Sequence, residues 1–359
     1  MQPAVPSLGA TESQNRFNRV FQQFIRVFTQ PEHPLVIFLD DLQWVDLASL
    51  KLIQLLVCNR NLQYLLLIGA YRDNEVNASH PLMLTLEELQ QTGATVNRII
   101  LQPLQISHVE QLVSDTLHSD ISKITPLAEL VFHKTEGNPF FLTQLLKSLY
   151  QEKLLFFNFD RGCWQWKMQR LQGIEIAENV VELMVNQIQK LSRTTQNVLK
   201  FAACIGNKFT LEVLAIVNEK SLSATAIELW EALQAGLILP LSEAYKIPLV
   251  LESDTSNVQV EALKVEYKFL HDRVQQAAYL LIPESQKKAT HLKIGRLLLQ
   301  NASLEDRKEN IFNLVNQLNY GVELLAVESE KYEIAELNLI AGQKAKAATA
   351  YESAMRYFK

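Results

Sequence analysis

Two adjacent carboxylates, Asp40 and Asp41, close the apolar run Leu35-Val36-Ile37-Phe38-Leu39. The run shows no alternation of polar and apolar positions. It therefore reads as a strand buried on both faces, as in the middle of a parallel sheet. Acids at its end would stand at the carboxyl edge of the sheet, where open α/β folds bind ligands. There one carboxylate can hold Mg²⁺, a hard cation that takes oxygen ligands and keeps several waters. The other can orient or deprotonate an attacking water, a role worth about 10²–10⁴ in rate. The same two acids could instead do no more than cap the following turn.

Other candidates carry less chemistry on their own. Arg72 follows a second apolar run and could meet a phosphate, or it could be an ordinary surface ion pair. His271-Asp272 is a pair found in metal phosphohydrolases, but that chemistry needs further clustered ligands. His33, His80, His108, His118, His133 and His291 have no ligand spacing. Trp164 and Trp166 could stack on bases or pack as one face of a hairpin. Cys58, Cys163 and Cys204 are odd in number and far apart, so neither a disulfide framework nor a cysteine zinc site is expected, and a reducing compartment fits.

The elements that would position these groups follow from periodicity. Residues 1–14 read as a loose lead-in. Phe17, Val20, Phe21, Phe24, Ile25 and Phe28 recur at helical spacing. Strands are expected at 35–39, 64–70 and 98–101, with helices at about 47–58 and 81–91 between them, which is the order of a parallel α/β sheet. Ser107 to Glu110 reads as a capping box opening a helix, Pro126 as the start of the next, and Pro139 as the start of a third. Residues 154–159 and 163–168 flank Asp160-Arg161-Gly162 as a hairpin. Helices resume from Glu178, with one stripe at 198–203 and two further helices at 210–217 and 224–234. A strand at 237–239, a loop over 241–262, a strand at 265–269 and a helix from Asp272 then suggest a winged-helix-like module. Its basic residues Lys264, Lys268, Arg273, Lys287, Lys288, Lys293 and Arg296 could face nucleic acid, but the chain as a whole is acidic and they form no cluster on one obvious recognition helix. Residues 284–359 read as packed helical hairpins of a repeat type.

The chain has 359 residues, enough for two or three domains at roughly 100–200 residues each. Hydrophobic residues at 48% and charged residues at 20% exclude wholesale disorder. Gly 11 and Pro 11 are few for the length and favour long helices over a sandwich of tight turns. A net charge of −5 argues against polyanion binding by the whole chain. The first residues lack a basic flank and an apolar core, and no apolar run approaches the ~20 residues of a membrane span. A soluble, cytoplasmic chain is expected.

Asp40-Asp41-Leu42-Gln43-Trp44-Val45-Asp46, with Ser49-Leu50 after it, resembles the Walker B segment of signal-transduction ATPases with numerous domains, which are AAA-related regulatory ATPases. Gly69-Ala70-Tyr71-Arg72-Asp73 is similar to the sensor strand of that family. Gly137-Asn138-Pro139-Phe140-Phe141 is similar to its helical-lid motif, and Phe269-Leu270-His271-Asp272 to its winged-helix His-Asp motif. The resemblance is closest to the ATPase region of cyanobacterial-type multidomain serine/threonine and histidine sensor kinases, and it covers essentially the whole chain. It implies ATP or ADP with Mg²⁺ as cofactors. Asp40 would hold Mg²⁺, Asp41 would activate water and Arg72 would sense phosphate. Pro139 would lie against adenine, and His271 would face the phosphates in the closed ADP state.

The implied fold is α/β then mainly α. A partial P-loop-type core occupies 1–104, a helical lid with its hairpin 105–190, a winged-helix-like domain 191–283, and the start of helical, tetratricopeptide-like repeats 284–359. The implied partners are kinase and sensor domains of a parent chain, and proteins bound by the repeats. No G-x-x-x-x-G-K-[ST] occurs, and Lys147-Ser148 has no glycine loop before it. The sequence is thus expected to be a fragment that does not hydrolyse nucleotide by itself. In the resembled family the strand bearing that loop lies between those matching 64–70 and 98–101. Its loss is expected either to let those two strands pair or to leave the fragment poorly soluble. Two rivals remain: a transcription regulator built on the same ATPase, and an interaction scaffold with a vestigial site.

Overall fold

The computed structural model describes residues 9–59, 61–77, 79–173, 179–241, 243–246, 265–348 and 350–359. The chain divides into two compact units, one of Met1–Ile100 with Asn338–Lys359 and the other of Leu101–Leu337.

In the first unit, helix α1 (Ala10–Phe28) starts well before the expected position, because the Glu12 carboxylate accepts the Gly9 amide at 3.2 Å and caps the first turn. Residues 10–14 are therefore helical and not a loose lead-in. Strand β1 (Leu35–Leu39), helix α2 (Leu47–Val57), strand β2 (Leu65–Gly69) and helix α3 (Pro81–Gln91) follow in the expected order. β1 and β2 pair in parallel, Leu35 opposite Leu65 through Leu39 opposite Gly69. Two expectations fail here. The sheet is two-stranded among the described residues, and residues 98–101 form no strand, so they do not close a gap beside β2. Arg98 lies instead over the Tyr71 ring, 5.8 Å from its centroid. Nor are the strands buried on both faces: Val36, Phe38, Leu66 and Ile68 are 54, 60, 55 and 42% exposed. An apolar run is necessary for burial on both sides, but a second layer must be present to complete it.

The second unit has one large apolar core and a smaller cluster of Cys204, Val217, Ile282 and Ile294. Helices α4 (Ile106–Leu117), α5 (Ile121–Thr135) and α6 (Pro139–Gln151) contribute Val113, Leu127, Val131, Leu142 and Leu145 to the large core. α4 begins before the expected capping box, with the Gln105 amide donating to His108 Nδ1 at 3.3 Å. Pro126 does not open a helix but lies inside α5. Burial of Ile124, Leu127, Ala128 and Val131 outweighs an interior-proline penalty of about 3 kcal/mol. Strands β3 (Leu155–Asn158) and β4 (Cys163–Trp166) form the expected antiparallel hairpin, with Phe157 opposite Trp164.

After the short α7 (Met168–Gly173) come α8 (Val180–Gln189), α9 (Arg193–Ile205), strand β5 (Lys208–Thr210), α10 (Leu211–Asn218) and α11 (Leu222–Gln234). Asn179, Ser192, Thr210 and Ser221 cap α8, α9, α10 and α11 with side-chain oxygens. Strands β6 (Ile238–Pro240) and β7 (Glu266–Phe269) join β5, a strand too short to be read from sequence, in an antiparallel sheet of order β5-β7-β6. Phe209, Tyr267 and Phe269 bury its inner face. The loop expected over 241–262 lies almost wholly outside the described residues, as does Lys264. Helix α12 (Asp272–Leu280) packs on α8 and α9. The pair α13 (Glu284–Asn301) and α15 (Ile311–Tyr320), linked through α14 (Leu304–Glu309), follows it. Two more helices, α16 (Glu328–Ala347) and α17 (Tyr351–Phe358), complete the chain. No helix among the described residues is long and apolar enough to cross a membrane.

Gly137 shows how closely α5 and α6 are joined. Its φ is +73°, and an added Cβ would lie 2.1 Å from the Leu104 carbonyl oxygen, while its own carbonyl accepts the Leu104 amide at 2.9 Å. Gly137→Ala combines a left-handed backbone with a backbone clash. It is expected to cost about 2–4 kcal/mol, read as a lower urea midpoint at unchanged slope.

Candidate functional site

The parallel register sets the edge of the first unit. Leu39 stands opposite Gly69, so the residues after both strands emerge side by side. The Ala70 amide donates to Leu39 O at 2.8 Å and the Leu42 amide to Ala70 O at 2.9 Å, which folds the chain after β1 back over the end of β2. A Cβ at Gly69 would come within 2.5 Å of Leu42 Cδ1, so a larger residue there requires the Leu42 side chain to shift.

Asp40 is exposed, and its Oδ1 accepts the Asp41 amide at 3.0 Å. Asp41 takes a left-handed backbone (φ 55°, ψ 39°), a conformation that Asp tolerates better than most residues. Its Oδ1 accepts from Gln43 Nε2 at 2.9 Å and lies 3.9 Å from the Arg72 guanidinium. Arg72 also binds Glu75 Oε1 at 3.0 Å and lies 5.5 Å from the centroid of the Trp44 ring. The structure thus brings Asp40, Asp41 and Arg72 together, and Arg72 is engaged in ion pairs there.

The residue that organises this group is Gln43, which sequence reasoning passed over. It is 6% exposed. Its amide nitrogen holds Asp41, its amide oxygen accepts the Arg72 backbone amide at 3.2 Å, and its carbonyl is 3.1 Å from His80 Nε2. His80 Nδ1 accepts the Leu82 amide at 3.2 Å and so caps α3. Nε2 therefore carries the proton and donates to Gln43. A glutamine between two acids and a tryptophan reads as surface. The only sequence signal was its place inside the resembled motif.

Asp46 caps α2, accepting the Ser49 amide at 2.9 Å and the Ser49 hydroxyl at 2.7 Å. Desolvation works to raise its pKa, but these hydrogen bonds outweigh it and hold the carboxyl below its usual value.

Pro139 and His271 fall in the second unit. Asn138 Oδ1 accepts the Phe141 amide at 2.9 Å, which starts α6 with Pro139 exposed in its first turn. The next residue, Phe140, stacks on the His271 ring at 4.3 Å and 22°. His271 caps α12 with Nδ1, which accepts the Arg273 amide at 3.1 Å and contacts the Asp272 carboxylate. The helical-lid segment and the His-Asp segment, 132 positions apart from Pro139 to His271, are neighbours within this unit.

The basic stretch named above is largely neutralised. Lys287, Lys288, Lys293 and Arg296 are paired with Glu284, Glu323, Glu219 and Glu330. Trp164 takes Phe157 and Tyr150 against its edges and packs on the core of the second unit. The three cysteines are unbridged, with Cys204 buried.

The donor set at the first edge suits Mg²⁺, being carboxylate oxygen only. Among the described residues no cluster of three or more His, Cys, Asp or Glu could hold a metal alone. Mg²⁺ at Asp40 would share its shell with phosphate oxygens and waters, its usual habit.

Residues 2–68 match the family model of the AAA ATPase domain. Over 450 residues and 98% of its length, the chain is 30% identical to hybrid signal transduction histidine kinase G of Dictyostelium discoideum. It is 23% identical over 203 residues to the peroxide stress-activated histidine kinase mak3 of Schizosaccharomyces pombe, and 22% over 365 residues to adenylate cyclase type 10 of Oryctolagus cuniculus. The chain spans 13, 8 and 22% of the lengths of these relatives. A solved structure of a signal-transduction ATPase with numerous domains and a tetratricopeptide repeat sensor, from Pyrococcus horikoshii, aligns over 96% of this chain and 45% of its own, at 13% identity and a TM-score of 0.46.

Gln43→Leu removes a donor from Asp41 and strands the Arg72 amide. An expected loss of about 1–3 kcal/mol would appear as faster hydrogen exchange at that amide. Asp46→Ala removes a helix cap worth about 1 kcal/mol. Because the folded pKa lies below the unfolded value of 3.8, this contribution is present above pH 3.8 and disappears as pH falls through the folded pKa. The difference between Asp46→Ala and the parent chain in urea unfolding is expected to vanish in acid.

Proposed function

We propose that this chain is part of a nucleotide-responsive regulatory module in a multidomain signalling kinase, with nucleotide state coupled to domain rearrangement. The observation that carries the reading is the strand-edge group: Asp40 and Asp41 after one parallel strand, Arg72 after its neighbour, held in register by buried Gln43. The match of residues 2–68 to the AAA ATPase domain and the likeness to a hybrid histidine kinase support it.

In this reading Asp40 holds Mg²⁺ and Asp41 activates water. Arg72 exchanges Glu75 for a phosphate. Pro139 lies against adenine, and His271, steadied by Phe140, meets the phosphates in the closed ADP state. A nucleotide can shift conformation only through contacts that differ between states, and this reading assigns them to Arg72 and His271. Residues 105–190 act as a lid, 191–283 as a winged-helix-like domain, and 284–359 as the first tetratricopeptide-like repeats, offered to protein partners. Kinase and sensor domains of the parent chain receive the signal.

Calorimetric titration of ATP and ADP, with and without Mg²⁺, into this chain and into one extended at its N-terminus with a Gly-rich Lys-Ser/Thr phosphate loop tests the reading. The longer chain is expected to bind both nucleotides, and Asp40→Asn to remove the Mg²⁺ dependence. Arg72→Ala is expected to weaken ATP relative to ADP about tenfold, the worth of a charge-assisted hydrogen bond. No nucleotide binding by the longer chain would refute the proposal.

A further inference from the structure

Helix α12 meets different parts of the second unit at its two ends. At its start the Arg273 amide is held by His271 Nδ1 at 3.1 Å and by Asp272 Oδ1 at 2.9 Å, while the His271 ring stacks on Phe140 of α6. At its far end the Tyr279 hydroxyl stands 3.0 Å from His291 Nε2 on α13 and 3.2 Å from the Tyr320 hydroxyl on α15. From His271 to Tyr279 a helix rises about 12 Å. Between them Val274, Ala277 and Ala278 are fully buried. A close-packed stretch of this kind shifts as one piece and does not bend to absorb a displacement.

The pair α13 and α15 is also one piece. A Cβ on Gly295 would lie 2.6 Å from Leu318, and one on Gly321 would lie 2.6 Å from the Lys288 carbonyl oxygen, so the two backbones cross closely. His291 Nδ1 and the Gln317 amide oxygen, 2.6 Å apart, join the two helices once more.

This pair has two polar anchors. One is Tyr279 on α12. The other is the last turn of α9, where Gln317 Nε2 donates to the Cys204 carbonyl at 2.7 Å. Carbonyls in the last turn of a helix have no partner inside it and must be satisfied from outside. The neighbouring Ala203 carbonyl is satisfied in the same way, by Gln275 Nε2 of α12 at 3.0 Å. Gln275 stands one turn after His271. The end of α9, α12 and the pair therefore form a closed triangle of hydrogen bonds. Such bonds tolerate a few tenths of an ångström. A rigid pair can keep both anchors only while Gln275 holds α12 in register with α9.

We propose that α12 is a coupling lever between the Phe140–His271 stack and the α13–α15 pair. Loss of the stack releases the first turn of α12, Gln275 lets go of α9, and the pair gives up one of its anchors. Contacts this far apart ordinarily act independently; the closed triangle is the reason that these do not. The lever operates in the chain without nucleotide. Under the nucleotide reading it carries a change at His271 to the repeat-like helices.

Hydrogen exchange of the whole chain reads the coupling at the amides of α15. Phe140→Leu removes the stack. It is expected to speed exchange in α15 about threefold, the order of one aromatic contact, with α4 unchanged. Phe140→Tyr keeps a stacking ring and is expected to leave α15 at the parental level. Gln275→Leu with Tyr279→Phe cuts both links from α12, and adding Phe140→Leu to that background is expected to leave α15 no faster. Coupling is reciprocal, so Gln317→Leu is expected to speed exchange of the Arg273 amide. Unchanged α15 exchange in Phe140→Leu, an equal rise in α4, Phe140→Tyr as fast as Phe140→Leu, the same rise in the cut background, or unaltered Arg273 exchange in Gln317→Leu would each overturn the proposal.

Discussion

The register between two parallel strands governs the chemistry at the edge of the first unit. Pairing Leu39 with Gly69 brings the loops that follow both strands to one side, where their polar groups must be satisfied by each other or by water. Gln43 meets that demand. A side-chain amide has donors on one atom and an acceptor on the other, so it can hold an acid and a backbone N–H at once. Asp41 and Arg72 are thereby fixed relative to each other by a buried group, and not merely by their mutual attraction, which solvent would screen at 3.9 Å. The same loop carries Asp46, whose cap starts α2. One stretch of seven residues, 40–46, thus ends a strand, builds a polar edge and begins a helix.

The second unit solves a different problem. Capping oxygens from Asn138, Asn179, Ser192, Thr210 and Ser221 mark where five of its helices begin. Between them the core is apolar and continuous. Some of the buried polar groups join one helix to another: Thr195 bonded to the Glu228 carbonyl, and the row through His291 and Gln317. A buried polar contact defines alignment more narrowly than apolar packing does, because its partners must meet at one distance and angle.

Much of the architecture was legible in the sequence. Both parallel strands, the helices after them, the hairpin around Gly162 and the helix starting at Pro139 stand where periodicity and turn chemistry put them. The errors have physical reasons. Residues 98–101 have strand composition, but a strand exists only where a neighbour offers its edge, and Arg98 is drawn to Tyr71 instead. Pro126 carries the signal of a helix start, yet the packing of its neighbours holds it in a helix interior. β5 spans Lys208–Thr210, too short for any pattern, and is held by its pairing with β7 and the burial of Phe209.

Residue types and spacing by themselves determined the kinds of groups available: paired acids after an apolar run, an arginine after the next, a proline opening a helix and a histidine before another. These follow from local chain chemistry, which acts over a few residues. Tertiary structure alone decided that Gln43 is the buried link at the strand edge, that Phe140 stacks on His271, and that His291, Gln317 and Cys204 share one row of bonds. Those contacts join positions from 26 to 131 residues apart, His291 with Gln317 and His271 with Phe140 being the shortest and longest. Only the folding of the whole core, which no local window contains, brings such positions within hydrogen-bonding or stacking range.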